Sequence, residues 1–140
     1  MVVVDASVAL KWFVQEEGTP SALSMLTSAD LLIAPELVIA EMCNSAWRMS
    51  QAGRMTKEQA MIVAAQAGRL FHQTVSLDSL SVRASQLAFL LDHPAYDCFY
   101  LALAEQRQTA VITADRRFAA KTRGTAWDGR VVVLADVPQP

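Results

Sequence analysis

Met1-Val2-Val3-Val4-Asp5-Ala6-Ser7 opens the chain and decides its fold. Three successive valines leave no polar face, so the stretch predicts a short strand buried on both sides, as in a parallel sheet covered by helices. The strand ends on a carboxylate, Asp5, followed by the small pair Ala6-Ser7. In open parallel sheets, ligands bind beyond the carboxyl ends of the strands, so an acid there stands where chemistry takes place. Capping the following helix is the other use of an Asp at such a position. This stretch alone leaves both uses open.

Working outward, helical and strand-like segments alternate. A short helix is expected from Val8 to about Gln15, and a second from Pro20 to about Ser28, with Pro20 in its first turn. Leu31-Leu32-Ile33-Ala34 reads as a strand, and Pro35 opens a helix carrying Glu36 to about Ala52. Thr56 and Gln59 have capping-box spacing and start a helix reaching Leu70. Thr74 to Leu77 gives a weaker strand signal, Ser79 starts a helix to about Leu91, and Pro94 opens another that ends near Gln106. Ala110 to Thr113 is a fourth strand, Arg116 to Thr122 a short basic helix, and Val131 to Leu134 a fifth strand. With no hairpin signal between strands, the pattern predicts an α/β fold: a central parallel five-stranded sheet between two layers of helices. The 140 residues fit a single domain, with a tail from about residue 136 that leaves the fold at Pro138-Gln139-Pro140.

Composition narrows the function classes. The hydrophobic fraction is 53%, yet the apolar runs stop well short of the roughly 20 residues of a membrane span. The opening residues lack the basic flank of a signal peptide, so a cytoplasmic location without membrane attachment is expected. Cys43 and Cys98 have no CxxC spacing and read as free thiols. A net charge of −2 gives no global attraction to nucleic acid. The distribution differs: Arg116, Arg117, Lys121, Arg123 and Arg130 are five of the twelve basic residues. A solvated helix face explains them as well as a polyanion site does.

Four of the fourteen acids stand out by position. Asp5 follows the first strand, and Asp115 follows the fourth with only Ala114 between, so both emerge at one sheet edge. Asp97 lies in the first turn of a helix, where the dipole favours an anion. Glu41 sits among apolar helix neighbours and shares a stripe with Asn44 and Arg48. Each could be a cap or a solvated acid. Together they would repel one another unless a cation lies between them. Oxygen ligands without His or Cys favour Mg²⁺, or Mn²⁺, over zinc. His72 and His93 stand apart from this cluster. Ser7 and Thr113 could hold a carboxylate or a water in place, or make ordinary turn bonds. A carboxylate-held Mg²⁺ suits phosphate chemistry, and Arg116, Arg117, Lys121 and Arg123 follow Asp115 closely enough to meet a nucleic-acid backbone.

These residues resemble a known family. Val4-Asp5-Ala6-Ser7-Val8, the pair Glu41 and Asn44, His93-Pro94-Ala95-Tyr96-Asp97, and Thr113-Ala114-Asp115 with Phe118 are similar in order and spacing to PIN-domain ribonucleases, in particular the VapC group of bacterial and archaeal toxins. The resemblance runs from Val2 to the last strand. It implies strand order 3-2-1-4-5, an acidic Mg²⁺ pocket of Asp5, Glu41, Asp97 and Asp115, and endonucleolytic hydrolysis of RNA. Asp5 and Asp97 would hold the metal directly, with Asp115 and Glu41 completing the shell. Ser7, Asn44 and Thr113 would support the site, and Arg116, Arg117 and Lys121 would bind substrate. It also implies a homodimer silenced by a VapB-like antitoxin.

Other classes remain to be weighed. A phosphoacceptor receiver domain would use Asp78 but needs a Lys after the fifth strand, where none stands. A haloacid-dehalogenase-like phosphatase needs an Asp where Ser7 is. A non-catalytic domain that binds RNA or a partner keeps the fold and makes the acids structural.

Overall fold

The computed structural model of the chain describes residues 1–138. Five strands form one sheet: β1 (Val2–Val4), β2 (Leu32–Pro35), β3 (Gln73–Val75), β4 (Val111–Thr113) and β5 (Val131–Val133). Their order is β3-β2-β1-β4-β5, and every pairing is parallel. The helices are α1 (Ala6–Ala9), α2 (Thr19–Leu26), α3 (Leu37–Gln51), α4 (Lys57–Gln66), α5 (Ser81–Leu91), α6 (Ala95–Gln106) and α7 (Arg116–Thr122).

The valine run behaves as its composition requires. Val3 and Val4 point to opposite faces of β1, and both are fully buried, so helices cover the sheet on each side. Each contributes roughly 1.5–3 kcal/mol of burial free energy. Val3 pairs with Ile33 on one side and Val111 on the other, which makes β1 the central strand. From β1 the chain builds outward through β2 and β3, then crosses to the opposite side for β4 and β5. The gap between β1 and β4 is therefore the switch point of the sheet, where a parallel fold opens a crevice at its carboxyl edge.

Several boundaries differ from the sequence expectation. α1 starts at Ala6, two residues before the expected Val8, because the Asp5 side chain accepts from the Ser7 and Val8 N–H groups and initiates the helix. It gives way to a 3₁₀ turn over Leu10–Trp12 and stops short of Gln15. The capping box of Thr56 and Gln59 is formed, but α4 ends at Gln66 and tightens into a 3₁₀ turn over Ala67–Leu70. Gly68 backs onto the Ile39 side chain, where an added Cβ would lie 3.1 Å from Cδ1. β3 is shifted toward its N-terminus, and His72 serves it: Leu32 N–H donates to His72 Nδ1 at 2.9 Å, extending the β2–β3 pairing. Leu134 leaves β5 for a 3₁₀ turn over Leu134–Asp136. Of the expected tail, Gln139 and Pro140 lie outside the described residues. Cys43 and Cys98 are free thiols.

α6 carries two groups of the site and is anchored at its far end. Glu105 takes a two-pronged bond from Arg83 at 2.6 and 3.0 Å and a third from Trp127 Nε1 at 2.8 Å. The Arg83 guanidinium holds the Glu105 carboxyl below its usual range.

Candidate active site

A pocket of about 160 Å³ opens at the β1/β4 switch point, lined by Asp5, Ala6, Ser7, Glu41, Ser45, Asp97, Tyr100 and Asp115. The four acids singled out in the sequence therefore share one concavity, brought there by four different elements. Asp5 caps α1 at the end of β1, Glu41 projects from α3, Asp97 from the first turn of α6, and Asp115 caps α7 just beyond β4.

Asp5 is the best held of the four, at 5% exposure. Its Oδ1 accepts from the Ser7 N–H at 3.0 Å, the Val8 N–H at 3.3 Å and the Ser7 hydroxyl. Its Oδ2 accepts from the Thr113 hydroxyl. Both hydroxyls are oriented from behind. Ser7 Oγ accepts from Ala114 N–H at 3.0 Å, and Thr113 Oγ1 from Asp115 N–H at 3.0 Å, so each hydroxyl proton is free for Asp5. One network thus joins the end of β1 to the β4–α7 turn. Helix capping and carboxylate positioning are performed by the same acid.

The other acids are each held through one oxygen. Glu41 Oε1 accepts from the Tyr100 hydroxyl at 2.6 Å, Asp97 Oδ2 lies 2.6 Å from His93 Nε2, and Asp115 Oδ1 accepts from Arg117 N–H at 2.8 Å. Glu41 Oε2, Asp97 Oδ1 and Asp115 Oδ2 have no hydrogen-bond donor among the described residues.

The electrostatics follow from this crowding. Burial pushes the Asp5 carboxyl up to about 6; the Ser7 and Thr113 hydroxyls oppose the shift, and the Asp97 charge adds to it. Glu41 is raised by burial and by Asp97, against the Tyr100 bond. Asp97 is raised by burial and by Asp115, against the His93 bond. Burial and the adjacent Glu41 push the Tyr100 phenol well above its usual range.

This donor set suits a hard divalent cation. It consists of carboxylate and hydroxyl oxygens, and burial with neighbouring acids raises the proton affinity of Asp5, Glu41 and Asp97, which a shared cation would reverse. Among the described residues, no three His, Cys, Asp or Glu side chains converge tightly enough to hold an ion as they stand. The acids instead line a common space.

The remaining sequence candidates fall outside the pocket wall. Asn44 is exposed, and it is Ser45, one residue further along α3, that lines the pocket beside Glu41. Arg48 is exposed as well. Arg116, Arg117, Lys121 and Arg123 are exposed on or just past α7, and Arg116 lines a neighbouring cleft with Lys11. Arg130 bonds the Thr109 carbonyl at 2.9 Å. Tyr100, Ser45 and His93 were not anticipated as parts of the site. An i+4 count from Glu41 reaches Ser45, and the same count back from Asp97 reaches His93, whereas the bond of Tyr100 to Glu41 spans 59 residues and is made by tertiary packing.

The PIN-domain family model matches residues 2–124, which include all four acids. The chain belongs to the PIN-domain family. It is similar to Ribonuclease VapC3 of Pyrobaculum aerophilum, 28% identical over 122 residues, covering 86% of this chain and 93% of the relative. Among solved structures, PAE2754 from Pyrobaculum aerophilum matches 96% of this chain and 83% of its own, with a TM-score of 0.65 at 21% identity. FitAB bound to the IR36 DNA fragment aligns over 99% of both chains with a TM-score of 0.70 at 14% identity. FitAcB from Neisseria gonorrhoeae covers 98% of this chain and 100% of its own at 0.66 and 13%. These structural likenesses establish the shared fold. No helix among the described residues is long and apolar enough to cross a membrane.

Proposed function

We propose that this PIN domain is a Mg²⁺-dependent endoribonuclease, Mn²⁺ substituting, and the toxin of a toxin–antitoxin pair. The observation that carries the reading is the meeting of Asp5, Glu41, Asp97 and Asp115 in one pocket at the switch point. Family membership and the similarity to a protein named Ribonuclease VapC3 support it.

Asp5 and Asp97 would hold the ion, with Asp115 and Glu41 completing its surroundings. When bound, the cation would supply a more acidic water and neutralise charge building on the phosphodiester oxygens. The chain's own residues do the rest. Ser7 and Thr113 fix the Asp5 carboxylate in one orientation. Glu41, whose proton affinity is raised by burial, takes the proton of the attacking water through Oε2. Arg116, Arg117 and Lys121 contact the RNA phosphates flanking the cut.

The test is cleavage of RNA by the purified chain with Mg²⁺ or Mn²⁺, its loss with a chelator, and its loss in Asp5→Asn with the fold intact. Full activity of folded Asp5→Asn, or cleavage indifferent to chelator, overturns the reading. RNA binding without cleavage under any divalent ion would instead favour a non-catalytic domain. The toxin assignment, and the cytoplasmic location that goes with it, predicts growth arrest on expression, relieved by Asp5→Asn. It also predicts a neighbouring reading frame for a small VapB-like antitoxin. The expected homodimer is read by light scattering.

A further inference from the structure

His93 sits where two helices and two of the acids meet. Asp92 closes α5 in the left-handed region at φ 49°, and His93 N–H returns to the Ala88 carbonyl at 3.1 Å. Pro94 then fixes the next backbone step before α6 begins. This bracket turns the imidazole inward, leaving its side chain 9% exposed. The ring lies flat against Phe118, centroids 5.3 Å apart and planes 8° from parallel. Phe118 is fully buried on α7, three residues after Asp115. The same imidazole reaches Asp97 Oδ2 through Nε2 at 2.6 Å. An ionised carboxylate can only accept, so Nε2 carries the proton.

We propose that His93 is a positioning residue for the metal pocket: its Nε2–H holds Asp97 by Oδ2 so that Oδ1 is presented to a divalent cation, while its stacking on Phe118 registers Asp97 against the helix that carries Asp115. The inference rests on the metal-dependent reading above. An acid on the first turn of a helix has several rotamers, and the hydrogen bond selects one of them. Outer partners of metal-binding side chains act in this way, fixing orientation before the ion arrives.

Two substitutions separate the bond from the stack. His93→Phe keeps an aromatic ring for Phe118 and removes the donor. His93→Gln removes the stack and keeps an N–H near the position of Nε2. The measurement is Mn²⁺ binding to the full chain by electron paramagnetic resonance, with thermal melts in parallel. His93→Phe should bind Mn²⁺ about tenfold or more weakly, and His93→Gln should recover to within about threefold of wild type. A purely structural role would lower the melting temperature of both variants and leave Mn²⁺ affinity alone, which overturns the proposal. The reverse order of affinities, or a nitrogen directly coupled to bound Mn²⁺, overturns it too. Failure of wild type to bind Mn²⁺ takes down the metal-dependent reading itself. Wild-type binding that Asp97→Ala weakens and His93→Phe does not removes only the role of His93.

Discussion

The Tyr100 hydroxyl donates to Glu41 Oε1 at 2.6 Å, joining α6 to α3 across 59 residues of chain. Tyr100 is otherwise a core side chain, and Glu41 is its polar outlet into the pocket. A donor to a carboxylate stabilises the ionised form, so the bond opposes the upward shift that burial imposes on Glu41. Tyr100→Phe removes one oxygen and keeps the ring. The Glu41 pKa should rise further, read by carbon NMR titration of its carboxyl. The fold should lose about 1.5 kcal/mol, the low end for a bond to a charged group, because half-buried Glu41 can turn to water. An unchanged Glu41 titration would show that the bond is incidental.

The Thr113 hydroxyl makes a similar bond deeper in the molecule. Fully buried, it donates to Asp5 Oδ2 and accepts from Asp115 N–H. Thr113→Val is nearly isosteric and leaves both groups short of a partner, costing about 1–3 kcal/mol. The loss should be larger at pH 8, where Asp5 is ionised, than at pH 4.5, where it holds its own proton. Urea unfolding at the two pH values measures this, and an equal cost at both would deny Asp5 its dependence on Thr113.

What the sequence disclosed, and what it did not, divides along one line. The strand-end acids Asp5 and Asp115 were legible because their position follows from local pattern: a buried strand, a small residue or two, then a helix. Parallel alternation then put both at one edge, and the observed order agrees. Glu41 was legible as an acid on an apolar helix, but the expected companion Asn44 is exposed and Ser45 takes the pocket side. The helical stripe has a width, and i+4 from Glu41 rather than i+3 lies on its pocket side. Tyr100 and His93 were illegible for a different reason. An aromatic within an apolar helix reads as core, and a histidine between Asp92 and Pro94 reads as loop. The role of Tyr100 depends on Glu41, which only tertiary packing brings near; His93 meets Asp97 four residues on, and packing adds its stack on Phe118. α1 begins two residues earlier than the local pattern suggests because the Asp5 side chain that closes β1 also caps it.

The raised Asp5 pKa makes the fold sensitive to pH. Its native value is about 6 against an ordinary 3.8, so between those values the native chain binds more protons than the unfolded one. Stability contributed at this site therefore falls as pH rises from about 4 to about 6, and the penalty is complete above that. The shift of roughly 2 units corresponds to at most about 3 kcal/mol. In chelator, Asp5→Asn should be more stable than wild type at pH 7.5, and the difference should vanish near pH 4. Denaturant melts across that range test it. Asp5→Asn melting below wild type at pH 7.5 would mean that the Ser7 and Thr113 bonds outweigh desolvation.

Arg116 and Arg117 open α7 immediately beyond Asp115, and both are exposed. Their place in the fold depends on backbone: Arg117 N–H satisfies Asp115 Oδ1, and an alanine supplies the same N–H. The double change Arg116→Ala with Arg117→Ala should therefore leave stability within about 0.5 kcal/mol. RNA binding should respond differently. Each phosphate neutralised by a cation releases counterions, and on single strands each such contact steepens the salt dependence of the logarithm of affinity by about 0.7. Measured on the Asp5→Asn background, so that RNA is not consumed, the double variant should bind more weakly at low salt. Its slope against the logarithm of salt concentration should be shallower by roughly 1.4 if both arginines meet phosphates. A parallel salt dependence at reduced affinity would point to base or sugar contacts, and an unchanged affinity would return these arginines to the solvated face that composition alone allows.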